Sequence, residues 1–381
     1  MKYKFSTFLL LVLAWQFLLA IAGACIEKYL GCPAIPSYTH PVPFSFLSHI
    51  DRFDSDYYKA ILQGGYEWFP ISRVFYPLYC LVIKSLLFVW GWGIGLYWTV
   101  FIVNTICTSI VVYFLQKIIS IYSEKEPPLF AGFIIFCFPT AVYFHFFYTE
   151  SLFCAIAFSA FYMALKERWL FCCILLAFAT ATRLPAILFI GLCGLQYLDS
   201  CHWKLKRIVR KEFLYFLITP LGFVAFALYL HHICGNYFAM FDSYKYGWDY
   251  QIFDPNIFKV YWDVFLKIID NTANKANETA PFFLVIFCII SSVFLIKNRK
   301  GSVRTYPLGI FGICSIIMFS LNSNLVSITR YLLPCINIYI FIHFLIQKDG
   351  WYKKIAISFL VISCIFEFFF FKKFCMWLWI A

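Results

Sequence analysis

The segment HIDRFDSDYYKAILQGGY, residues 49 to 66, sets Asp51, Arg52, Asp54 and Asp56 among tyrosines in a chain whose charged residues make up only 13%. A carboxylate in such a setting suits general-base work, because taking a proton from a hydroxyl needs a base within hydrogen-bond reach. Farther along stand Tyr148 and Glu150 in YTES, Arg183 before Leu184-Pro185, Trp248, and Arg330-Tyr331. Arginine offers a planar fork of donors that can bind phosphate oxygens two at a time. Tyrosine and tryptophan offer flat apolar faces with a polar handle, which suits a sugar ring. The combined set fits transfer of a sugar from a lipid-linked phosphate: a carboxylate takes the acceptor's proton, and guanidinium groups receive the charge of the departing phosphate. The chain has neither a GxxxxGK[ST] nor a GxGxxG loop, as expected where no nucleotide takes part.

Each residue also has a plainer reading. Asp54 is the expected base, but Asp54 or Ser55 would equally serve as an N-cap for a helix running to Gly64-Gly65. Arg52, Asp56, Tyr58 and Tyr66 are expected substrate contacts, although Asp51 and Asp56 also read as solvated loop charges. Tyr148, Glu150 and Trp248 are expected contacts too, with helix capping as the alternative for Glu150. Arg183 and Arg330 are each flanked by apolar residues and are read as anion binders rather than as snorkelling side chains. His145 is read as a packing residue. No CxxC pair or His/Cys ligand spacing appears among the 16 cysteines, so no metal site is expected. A divalent cation is compatible with the chemistry without being required.

Elements must carry these groups to one place, and composition states where. Of 381 residues 63% are hydrophobic, whereas soluble domains carry about 25% charged residues. The class is therefore a polytopic all-α membrane protein, one domain over residues 1–381. Runs near the ~20 residues that cross a bilayer lie at 5–24, 95–119, 129–147, 150–166, 213–233, 281–297, 305–321, 330–346 and 355–372. Two short helices are expected between 169 and 198, meeting at Thr182-Arg183-Leu184-Pro185, for about 11 spans in all. The first run is read as a retained helix rather than a cleaved signal peptide.

Parity then assigns sides. With eleven spans the basic linkers 204–211, 297–304 and 348–354 all fall in the cytoplasm with Lys2 and Lys4, as the positive-inside bias favours. The net charge of +12 is explained by these linkers, and no nucleic-acid partner is expected. A crossing at 75–91 would move all three linkers outside, so that segment is expected to lie along the outer surface as a juxtamembrane helix. Residues 25–94 and 234–280 become two large external loops, the first carrying the catalytic segment. The external side then holds Asp54, Tyr148, Glu150, Arg183 and Arg330. Cys25 and Cys32 share the first loop, where an oxidising compartment would allow a disulfide.

These motifs, in order, resemble the PIG-V family of glycosylphosphatidylinositol mannosyltransferases within the GT-C superfamily. Phe53-Asp54 with Tyr57-Tyr58 and Gly65-Tyr66 is similar to the family's Trp-Asp, aromatic, Gly-Tyr first loop. Phe75-Tyr76-Pro77-Leu78-Tyr79 resembles Phe-Phe-Pro-Leu-Tyr-Pro, and Phe138-Pro139 with Tyr148-Thr149-Glu150-Ser151-Leu152-Phe153 resembles Asn-Pro followed by Tyr-Thr/Ser-Glu-Ser-Leu-Phe. Thr182-Arg183-Leu184-Pro185 is similar to the Arg-Pro/Ser-Asn-Gly break. Cys234-Gly235-Asn236 through Tyr246-Gly247-Trp248 resembles the Phe-Gly-Asp to Gln-x-x-Trp loop, and Arg330-Tyr331 with Pro334 the late Arg-Tyr element. Phe53 stands for Trp, Cys80 for the second Pro, and Leu184-Pro185 for Asn-Gly. The resemblance implies a GT-C fold and mannosyl transfer, with inversion, from a polyprenyl- or dolichyl-phosphate carrier to a lipid- or glycan-borne hydroxyl. It gives Asp54 the first-loop acidic role. The setting would be a prokaryotic plasma membrane or the endoplasmic reticulum. The competing class is a polytopic transporter of a lipid-linked or small polar substrate, which would place its polar groups in broken helices near the midplane.

Overall fold

The computed structural model describes residues 4–30, 44–90, 93–123, 127–247, 254–298, 303–348 and 350–379. The described residues build a helical bundle without a strand. Its principal helices are α1 (Phe5–Leu30), α2 (Ser55–Gly64), α3 (Leu78–Val89), α4 (Leu96–Tyr122), α5 (Glu150–Leu165), α6 (Trp169–Thr180) and α7 (Ala186–Ser200). They are followed by α8 (Leu221–Cys234), α9 (Ala239–Gly247), α10 (Ile257–Ile269), α11 (Ala280–Lys297), α12 (Tyr306–Ser320), α13 (Ile328–Leu332), α14 (Ile336–Gln347) and α15 (Trp351–Cys375).

Among the described residues five segments are long and apolar enough to cross a membrane: Phe5–Leu30, Leu96–Tyr122, Lys211–Cys234, Lys275–Lys297 and Trp351–Cys375. Six apolar helices are shorter, α3, α5, α6, α7, α12 and α14. At 1.5 Å per residue, a 12-residue helix such as α3 is about 18 Å long, well short of a ~30 Å hydrocarbon core. α1 continues to Leu30, past the loop start expected at residue 25, and carries Cys25; Cys32 lies outside the described residues.

The segment 129–147, expected as a spanning helix, is instead two 3₁₀ pieces, Leu129–Cys137 and Ala141–Phe144. Within a bilayer, non-α backbone needs protein rather than lipid around it, and α4 supplies protein partners here. Gln116 of α4 donates to the Pro128 carbonyl at 2.9 Å and accepts from the Gly132 N–H at 2.7 Å. A Cβ on Gly132 would lie 2.5 Å from the Val112 carbonyl oxygen, so only glycine admits this approach. Hydropathy reports apolar burial and not helix type, which is why the run read as a span.

Three polar ties join the segments that carry the candidate residues. Asn104 of α4 accepts from Tyr79 (3.0 Å) and Ser151 (2.7 Å) and donates to the Phe146 carbonyl (2.6 Å), which sets the start of α5. The Leu78 N–H donates to the Ala181 carbonyl at 3.1 Å, joining FYPLY to the α6–α7 break. The Phe147 N–H donates to the Ile50 carbonyl at 3.1 Å, joining the first loop to YTES. His49 faces His145 nitrogen to nitrogen at 2.9 Å, and His145 reaches Gln16 of α1 at 2.5 Å. The His145 side chain thus packs, wholly buried, between α1 and the loop.

Candidate active site

Asp54 occupies the N-cap position of α2, yet its carboxylate makes no capping hydrogen bond. Its Oδ2 lies 2.8 Å from Arg330 Nη1 at the start of α13, 276 residues away. Arg330 Nε lies 2.7 Å from Glu150 Oε1, close enough for charge pairing but not aligned as a hydrogen bond. The same Glu150 oxygen pairs with Arg183 from the α6–α7 break, and Arg183 also donates to Thr149 Oγ1 at 3.3 Å. The four side chains form a chain of alternating charge, Asp54–Arg330–Glu150–Arg183, balanced overall. Buried charges persist only when paired in this way.

Aromatic rings frame the guanidinium groups. Arg330 lies over Tyr148 at 5.1 Å, Tyr143 at 5.4 Å and Tyr331 at 5.8 Å, and Arg183 over Tyr331 at 5.6 Å. Tyr148 also accepts from the Asp54 N–H at 3.1 Å and donates to the Arg52 carbonyl at 3.2 Å. It therefore fixes the backbone that carries the carboxylate. Burial pushes the Asp54 carboxyl above its ordinary range, and Arg330 opposes that shift without cancelling it.

A cavity of about 150 Å³ opens onto this chain. Asp54, Tyr58, Thr149, Arg183, Arg330 and Tyr331 line it, together with Asn322 and Ser327 ahead of α13, Phe241 and Tyr244 from α9, and Trp379. Among the described residues no cluster of three or more His, Cys, Asp or Glu is placed to hold a metal ion.

The chain shares its fold with ArnT. The crystal structure of ArnT from Cupriavidus metallidurans bound to undecaprenyl phosphate superposes with a TM-score of 0.57 over 93% of this chain, at 12% identity. The chain spans 62% of the length of that ArnT chain. The architecture is thus an all-helical membrane fold of the kind seen in ArnT. No protein-family model matches the chain, and no curated protein matches it by sequence.

Beyond the fold shared with ArnT, the expected site residues fall into three sets. Asp54, Tyr58, Tyr148, Glu150, Arg183 and Arg330 meet in or directly behind the cavity. Arg52, Asp56 and Tyr66 lie elsewhere. Arg52 pairs with Glu27 of α1 at 2.6 Å and donates to the carbonyls of Ser48 (2.9 Å), Asp51 (2.8 Å) and Cys375 (3.2 Å). Asp56 pairs with Lys59 at 2.8 Å near the surface. Tyr66 donates to the Phe75 carbonyl at 2.7 Å and lines a second, apolar cavity beside α3, α6 and α8. Trp248 lies outside the described residues.

Four participants carried no sequence signal that singled them out. Glu27 reads as the end of a span. Tyr143 sits in a run of aromatics, and Asn322 has no motif around it. Trp379 belongs to a WLW triplet that resembles an interface belt.

Proposed function

We propose that the protein transfers a hexosyl residue, mannosyl by its motif resemblance, from a polyprenyl-phosphate carrier to a hydroxyl of a lipid or glycan. The acceptor oxygen attacks the anomeric carbon, Asp54 takes the hydroxyl proton, and the bond from that carbon to the phosphate oxygen breaks. The polyprenyl phosphate leaves with its electron pair, which Arg183 and Arg330 stabilise, and attack opposite the leaving group inverts the configuration. A carboxyl held above its usual range is better matched to proton removal near neutral pH than an ordinary one. The basic linkers argue that the cavity opens away from the cytosol.

The observation that carries this reading is the Asp54–Arg330–Glu150–Arg183 chain on a cavity wall, within a fold shared with a protein that binds undecaprenyl phosphate. It supports the reading because a carboxylate that can act as a base stands beside Arg330, and Arg183 shares Glu150 with that arginine. Membranes carrying the protein, given a panel of polyprenyl-phosphate sugars, are expected to discharge one carrier and yield a product heavier by one hexose. Failure to discharge any carrier would sink the reading.

A further inference from the structure

The segment after α15 turns back onto the cavity, and nothing in the mechanism above uses it. The Leu378 N–H donates to the Lys373 carbonyl at 2.9 Å and the Trp377 N–H to that of Phe374 at 3.0 Å, closing the end of the helix. Trp377 makes this reversal in a left-handed conformation, φ 59°, and Phe53 opposite it has φ 51°. Both are unfavourable for residues with a Cβ, and such backbone concentrates where a surrounding structure imposes it, often at functional sites. Arg52 holds the two segments together here. It donates to the Cys375 carbonyl, and its guanidinium lies 4.9 Å from the Trp377 ring. Phe53 is wedged among Phe374, Trp377 and Trp379, with centroids at 5.1, 5.4 and 5.0 Å.

We propose that Trp379 is a sugar-contacting residue, the aromatic wall against which the hexose of the donor lipid lies. The inference rests on the transferase reading and adds a subsite to it. Trp379 is half-buried. It touches Phe53, whose chain neighbour is Asp54, and it lines the cavity with Asp54 and Arg330. A phosphate bound by Arg183 and Arg330 puts the anomeric carbon beside Asp54, so the attached ring extends along the wall next to that carboxylate. Of the other rings at these charges, Tyr331 lies under both guanidiniums, Tyr143 and Tyr148 lie under Arg330, and Tyr58 is packed against Phe75, Tyr79 and Phe147. An indole face suits the C–H face of a pyranose, and its N–H can meet a hydroxyl.

The test uses the full chain in lipid nanodiscs and three probes: undecaprenyl phosphate, mannosyl-phosphoundecaprenol and glucosyl-phosphoundecaprenol. In Trp379→Ala, affinity for the sugar-charged carrier that wild type prefers is expected to fall about ten-fold, the size of one well-placed ring contact. Affinity for undecaprenyl phosphate should stay within about two-fold, a change too small to represent a lost contact. Trp379→Phe should recover most of the loss, and the thermal transitions of both variants report that they are folded. Equal weakening toward bare and charged carriers, or no weakening toward either, overturns the proposal and leaves Trp379 as packing. If wild type binds none of the three, the transferase reading fails, and this assignment fails with it.

Discussion

Two buried arginine–carboxylate sites lie two residues apart in the first loop and have opposite surroundings. Arg52 is closed in on every side by Glu27, three backbone carbonyls and the Trp377 ring. It binds α1, the loop and the end of α15 together. Asp54, two residues later, meets Arg330 on the wall of a cavity. The chemistry of the pairs is the same, and only access differs. A guanidinium whose donors end on backbone carbonyls is a strut, whereas a chain of charges bordering open space can exchange partners with an incoming phosphate.

The sharpest way to break this comparison is to neutralise each carboxylate or guanidinium and ask whether activity or stability responds. Asp54→Asn should lower the turnover of sugar transfer about 10³-fold, within the range for a lost general base. Its thermal transition should move little, because Arg330 keeps Glu150. Turnover at the wild-type rate would mean Asp54 is not the base. Arg52→Met should act the other way, costing about 3–5 kcal/mol of stability by stranding the Glu27 carboxylate. Thermal or denaturant unfolding measures that cost, and Arg52→Met combined with Glu27→Gln should restore part of it. A stable Arg52→Met protein with weakened donor binding would instead make Arg52 a ligand.

Smaller effects sharpen the same contrast. Arg183→Ala and Arg330→Ala should each raise the donor KM about ten-fold or more, as expected for losing one charge-assisted contact to phosphate. An unchanged KM in both variants removes their role. The profile of kcat/KM against pH should fall on its acid side with a break above the ordinary Asp value of about 3.9, because burial raises the Asp54 pKa and only its carboxylate accepts a proton. The stability effect has the opposite sign. The folded state holds this proton more tightly than the unfolded chain, so stability falls as pH rises from the ordinary value through the folded one. Acidification through that window therefore favours the fold at this group while silencing transfer. An acid limb at or below the ordinary value would contradict the buried position of Asp54.

Much of the site was legible because charges are rare in an apolar chain and each one stands out. Asp54, Glu150, Arg183 and Arg330 could be named from that contrast, and the Thr182–Pro185 break is where the backbone separates α6 from α7. The same contrast marked Arg52 as a substrate contact beside the expected base Asp54, since both lie in one charged stretch and their difference is which of them meets open space. Glu27 and Trp379 were invisible for a related reason. Each matters through a partner distant in the chain, Arg52 for the first and Phe53 for the second. The 129–147 segment misled because apolar character measures what surrounds a backbone and says nothing of its hydrogen-bond pattern.

Continuous apolar runs near the ~20 residues of a spanning helix, in a chain 63% hydrophobic, pointed to an all-helical membrane protein, because a helix satisfies its own backbone in lipid. The chemical inventory, carboxylates and guanidiniums among aromatic rings, was likewise written in the sequence. Pairing was not. Which acid meets which base, and which pair faces a cavity, depends on contacts spanning up to 323 residues from Arg52 to Cys375 and 276 from Asp54 to Arg330. Such contacts arise only when helices pack, since desolvation forces each buried charge toward whatever opposite charge the packing brings near.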